Sequence, residues 1–244
     1  MINFVLMEFL KLKNSKVFIL SLLGSLAPAL LVYLGLAGRL DYGEPINFAL
    51  LSGQTNLYML TMFGIFLTTI IVAYIFNREL NEHTLKSIIP IPISRSKYII
   101  GKSITFLIWI LILCSVCFFA SVLLSYITGV EGMTMNLILK YYSELLFGCF
   151  LLFLVMTPLM FVSMLMKNMI PAMISAAILT FGNIFAYGHE QAIYYPWILP
   201  SVISSGEIVN YTSNMTIAYA VVLITFIIGL GASYIHLTKK DIKL

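Results

Sequence analysis

The sequence predicts an all-α, polytopic membrane protein with six transmembrane helices, on three observations. First, 61% of its 244 residues are hydrophobic and only 10% are charged, against about 25% charged in an ordinary soluble domain. Second, a mean hydropathy of +1.01 leaves too little polar surface to cover a globule, so lipid must be the solvent for most side chains. Third, segments 17–38, 45–77, 103–130, 145–166, 168–188 and 208–238 carry no Asp, Glu, Lys or Arg. Each is long enough for the ~20 apolar residues of a spanning helix. Such a composition excludes an extramembrane catalytic domain, and residues 1–244 read as one membrane domain without linker or internal repeat.

The chain opens with residues 1–16, where Ile2, Val5, Leu6, Phe9 and Leu12 recur at helical spacing and Asn3, Glu8, Lys11 and Ser15 take the other side. With Lys13 and Lys16 following, this predicts an amphipathic interfacial helix, an elbow before the first span. Of the fourteen Lys and Arg, only Arg39 and Lys140 fall in loops that six crossings place opposite the termini. The positive-inside rule therefore puts both termini in the cytoplasm. Asp41, Glu44, Glu131, Glu144, Glu190 and Glu207 gather on the outer side, so the pI of 8.9 is a topology signal and implies no nucleic-acid partner.

Several fragments imitate chemistry. Gly101-Lys102-Ser103 ends like a phosphate-binding loop, but Ser96 stands where that motif needs its first glycine, and no strand precedes it. Cys114 and Cys117 are spaced as a redox pair yet lie within the third span, where, like Cys149 in the fourth, they read as small hydrophobes. His189-Glu190 lacks the second histidine of a zinc protease, so no metal site, catalytic residue or bound cofactor is expected in this chain. The spans also lack the acid, base or proton relay that an intramembrane hydrolase or proton-coupled carrier needs; His236 lies one turn from the end of the sixth. Ser, Thr, Asn and Tyr within the spans suit helix-to-helix hydrogen bonds or a weakly polar path. Pro28, Pro158 and Pro171 bend their helices. A sodium-coupled carrier working through backbone carbonyls at broken helices stays open, but a bundle without an internal energy source suggests that energy arrives from outside.

The cytoplasmic connection at 77–102 is the place to receive it. Arg78 to Ile88 can extend a helix, with Glu82 and Lys86 paired at i,i+4. Pro90 and Pro92 force an extended elbow, and Ser94 can cap a new helix carrying Arg95, Lys97 and Lys102. The residues alone equally fit a solvated positive loop, with Lys102 at the membrane surface. The stretch from Glu82 through Thr84, Lys86, Pro90, Pro92 and Arg95 to Lys102, however, resembles the E-x-G-T-x-K-x-x-L-x-x-P-x-S-R…K segment of type-2 ABC exporter permeases. Glu8-Phe-Leu-Lys-Leu-Lys13 resembles the E-x-x-K-x-K start of the branch that holds bacitracin-resistance and lantibiotic-immunity permeases. His83 departs from the glycine often found there.

The resemblance implies a bacterial plasma-membrane permease working as a homodimer, or as a heterodimer with a related permease, with two copies of a separate ABC ATPase. ATP and Mg would bind the partner subunit. Glu8, Lys11 and Lys13 of the elbow and Glu82, Thr84, Lys86, Pro90, Pro92, Arg95 and Lys102 of the loop would form the coupling surface. The implied cargo is a membrane-active peptide antibiotic, its export giving resistance or immunity. The outer loop 188–213, with Tyr194, Tyr195 and Trp197, reads either as an interfacial anchor or as a cargo contact. The rival reading is a self-contained membrane enzyme or carrier acting on lipid-linked substrates.

Overall fold

The computed structural model describes residues 2–13, 15–40, 46–81, 95–166, 169–212 and 214–239. Helix α1 (Ile2–Lys13) precedes the first span, α2 (Lys16–Leu40). The second span comprises α3 (Phe48–Tyr58), a π turn (Met59–Phe63) and α4 (Gly64–Asn81). The third is α5 (Arg95–Ile127), and the fourth is α6 (Met135–Val155), followed by the short α7 (Thr157–Leu165). After the fifth span, α8 (Met169–Ala186), two 3-10 turns flank α9 (Leu199–Ser204) and lead to the sixth, α10 (Met215–Lys239). Six helical segments are thus long and apolar enough to cross a membrane, as the charge-free segments predict.

Their boundaries follow local chemistry more than charge. Helix α5 starts well before residue 103, because Lys97 and Lys102 ride on the helix and do not interrupt it. Helix α6 likewise starts at Met135, where the Thr134 hydroxyl accepts the Leu137 N–H. It carries Lys140 and Glu144 on successive turns, although a charge count places both in a loop. The fourth segment then breaks at Met156. Pro158 has no N–H to give the carbonyl of Leu154, and the Thr157 hydroxyl donates to that carbonyl instead, at 2.8 Å. The same hydroxyl lies 3.3 Å from the Phe226 carbonyl of α10.

The second span is the centre of the bundle: 67% of its most apolar window is buried, against 28% for the first span and 17% for the sixth. Helix α4 packs on α7 and α8, α2 on α5, and α10 on α7. Its π turn needs Gly64, since a Cβ there would strike the Met59 carbonyl. At the far end from α1, Phe48 N–H donates to the Glu131 carbonyl at 2.9 Å and pins the start of α3 to the loop between α5 and α6.

The contact of α10 with α7 is backbone on backbone. A Cβ at Gly229 would come within 2.5 Å of Pro158 N and of Thr157 C and Oγ1. Gly229→Leu must therefore push α10 away from the break, at a cost of about 1–3 kcal/mol or more. The expected result is a lower melting temperature of the detergent-purified protein, whereas Gly231→Leu, with open space around its Cβ position, should change it little.

Candidate functional site

The first stretch that carries the family resemblance meets the described end of the second, Arg95–Lys102, at the α1 end of the bundle. Helix α1 lies across the base of α5, and Phe4 fits against Gly101, where any Cβ would strike its ring. Leu12 is buried and Val5 and Phe9 are half-buried. Two residues depart from the expected sides: Leu6 is exposed, while Glu8, assigned to the polar side, is buried. Glu8 faces α5 because its partner is there.

That partner is Lys102, which is fully buried and so is not the surface lysine that the solvated-loop reading allows. Its Nζ lies 3.3 Å from Glu8 Oε2 and donates to the Ile75 carbonyl of α4 at 2.6 Å. The ring faces of Tyr98 and Phe76 stand 5.0 Å and 5.5 Å from the same ammonium, a cation–π arrangement. Lys11, half exposed, bonds the other carboxylate oxygen at 2.7 Å. Taking two charges out of water costs several kcal/mol per ion, and the carbonyl, the rings and a second lysine help to offset that cost. One cluster thereby joins α1, the end of the second span and the start of the third.

The other residues expected at the coupling surface are placed as follows. Lys13 is exposed at the end of α1, and Arg95 opens α5. Glu82, Thr84, Lys86, Pro90 and Pro92 lie outside the described residues. Just before them, Asn77 is buried, and among the described residues neither its Oδ1 nor its Nδ2 has a hydrogen-bond partner. Sequence reasoning passed over Asn77; a lone amide ending a long apolar run was its only signal.

The aromatics of residues 188–213 separate. Tyr194 is exposed. Tyr195 sits in the notch at Gly182, with its hydroxyl donating to the Leu179 carbonyl at 2.9 Å, and burial raises its phenol pKa, so this donor keeps its proton at neutral pH. The Trp197 ring lies 5.4 Å from that of Tyr195, tilted by 56°. Its carbonyl shares the Asn183 amide, which donates at 2.7 Å to Thr61 in the π turn and at 3.4 Å to Trp197. Helix α9 is buried against α6, so the loop turns back into the bundle. The three free cysteines are buried, and among the described residues no three His, Cys, Asp or Glu group to hold a metal.

Six apolar helical segments among the described residues, with a charged cluster at one end, describe a polytopic membrane protein. Residues 4–183 match the family described as ABC-2 family transporter protein, and the chain belongs to that family. It is a multi-pass protein of the bacterial plasma membrane, a transport subunit for which the family implies an ATPase partner. It is 33% identical to the bacitracin transport permease protein BCRB of Bacillus licheniformis over 199 residues, covering 81% of this chain and 95% of that one. No solved structure matches it.

Removing one member of a buried ion pair strands the other, at a cost of about 3–5 kcal/mol, whereas an apolar replacement of both is often close to neutral. Glu8→Ala and Lys102→Ala are each expected to lower the melting temperature in nanodiscs. Glu8→Leu combined with Lys102→Met should recover most of that loss, as read by the same thermal-shift measurement.

Proposed function

We propose that this chain is the permease subunit of an ATP-driven exporter that expels a membrane-active peptide antibiotic, bacitracin-like or lantibiotic-like, and so gives resistance or immunity. The observation that carries the reading is the similarity to a bacitracin transport permease over most of both chains. The ion pair supports it physically. A coupling element has to pass motion from a soluble ATPase to the spans, and the buried Glu8–Lys102 contact ties the first helix to the two spans that flank residues 82–94.

Two copies of the permease would work with two ATPase subunits, which bind ATP and Mg. The termini and residues 82–94 would face the cytoplasm, and the end with α9 would face outward. Glu82, Lys86 and the Pro90–Pro92 elbow would present charge and stiffness to the ATPase, with Lys13 and Arg95 at the edges of that surface. At the outer end, Tyr194 would be open to cargo, as it is 64% exposed.

Two measurements test this. Single cysteines at Asn47 and Ser205, both exposed, should label from outside intact cells and one at Asn81 should not; the reverse pattern would invert the topology. Co-purification with an ABC ATPase subunit sought in the neighbouring genes, followed by hydrolysis assays with bacitracin and lantibiotics, tests the activity. Glu82→Ala should weaken that complex by about 2–5 kcal/mol, the usual cost of truncating one member of an interfacial charge pair. Replacing Pro90 and Pro92 by alanine should lower peptide-stimulated hydrolysis more than binding. Wild-type behaviour of both variants in binding, hydrolysis and cellular resistance would remove the loop from the coupling path.

A further inference from the structure

At the end of the bundle opposite α1, a cavity of about 570 Å³ opens between the first turns of α3, the first turns of α6 and the segment around α9. Part of its lining is apolar, from Leu50, Leu57 and Leu60. The rest is rich in acceptors. Asn56, only 7% exposed, lines it with its Nδ2 spent on the Tyr141 carbonyl at 2.9 Å and its Oδ1 without a partner among the described residues. A buried carbonyl oxygen held in this way is an unanswered acceptor.

The two carboxylates of the lining are loosely engaged. Glu144 has Lys140 at 3.9 Å, too far for a hydrogen bond, and the lysine is 60% exposed. Such a pair holds weakly against a competitor. Glu207 accepts the Tyr187 hydroxyl at 3.4 Å. Two acids against one base leave the cavity with a net negative charge. A divalent cation would want six or more oxygens or a third strong ligand, and among the described residues no set of three His, Cys, Asp or Glu exists. The complement is a group with several N–H donors, a single positive charge and an aliphatic stem. A primary ammonium has three such donors and no acceptor to leave unpaired.

We propose that this cavity binds a primary ammonium on an aliphatic side chain of a peptide, with Asn56 Oδ1, Glu144 and Glu207 receiving its N–H groups and Leu50, Leu57 and Leu60 lining its methylenes. Lys140 is the internal competitor that the incoming ammonium displaces. The identity of the occupant as a peptide rests on the exporter reading; the ammonium chemistry rests on the cavity alone.

The test uses the full chain in vesicles of phosphatidylcholine and phosphatidylglycerol, with Cys114, Cys117 and Cys149 replaced by alanine and Gln54, another lining residue, replaced by cysteine. Modification by a cationic and by an anionic methanethiosulfonate is timed. Glu144→Gln with Glu207→Gln should lower the cationic-to-anionic rate ratio about tenfold. An N-acetylated amphipathic peptide of leucine and lysine should slow modification, the same peptide with acetylated ε-amines should not, and Lys140→Ala should strengthen the protection. Ser205→Cys carries the same measurement if Gln54→Cys does not insert. An unchanged ratio in the double variant, or equal protection by the acetylated peptide, overturns the proposal. Protection by phosphatidylethanolamine vesicles without peptide also overturns it, reassigning the cavity to a lipid headgroup. Any of these failures alongside intact ATP-driven export removes the site and leaves the exporter reading standing; protection without an ATPase partner does the reverse.

Discussion

An ammonium group with no route to water governs the α1 end of this protein. Lys102, about two turns into α5, is buried, so its charge has to be answered within the protein, and Glu8, the Ile75 carbonyl and two aromatic faces answer it. The position of α1 follows from it. Apolar packing acts with it, since Phe4 sits at Gly101 and Phe9 and Leu12 pack on the core; the charge on α5 holds Glu8 on that same face. Lys11 then completes the carboxylate from the rim, where its own ammonium stays partly wet.

The same rule, that polar groups in an apolar medium are satisfied locally, shapes the irregular points of the spans. Pro158 frees a carbonyl and the adjacent Thr157 hydroxyl takes it. The π turn presents the Thr61 carbonyl to Asn183, a residue of another span. Glycines set the depth of approach between neighbours: Gly101 admits Phe4, Gly182 admits Tyr195, and Gly148 admits the Leu60 side chain and the end of α9. Each irregularity is thus also a joint between elements.

Much of the fold was legible because burial in lipid writes long apolar runs into the sequence, and six such runs became six spanning segments. Their ends were not, because a helix that begins at the interface can carry Lys97, Lys140 or Glu144 at no great cost while a charge count stops short. Within the site, Glu8, Lys11 and Lys102 were legible one by one through the family resemblance. Their partnership was not: it joins residues 94 positions apart, and helical periodicity speaks only of near neighbours. Periodicity misled at Glu8 for the same reason, since it sorted the residue by polarity without knowing of a buried cation across the contact. The cavity was out of reach as well, because it exists only once three separate segments converge.

The π turn at Met59–Phe63 sets the phase of the second span. A turn of this kind takes up one residue more than a regular helix, and one residue is worth about 100° of rotation about the axis. Below it, Thr68, Thr69 and Ile71 are buried within the bundle; above it, Asn56 meets Tyr141 and Leu51 is buried near the start of the span. Shortening the turn by one residue would leave composition, length and hydropathy almost untouched, yet it would swing the upper half about a quarter-turn and carry Asn56 off the Tyr141 carbonyl. A single-codon deletion here is therefore a graver change than many substitutions, and an aligned sequence lacking one residue at this point describes a differently wound span.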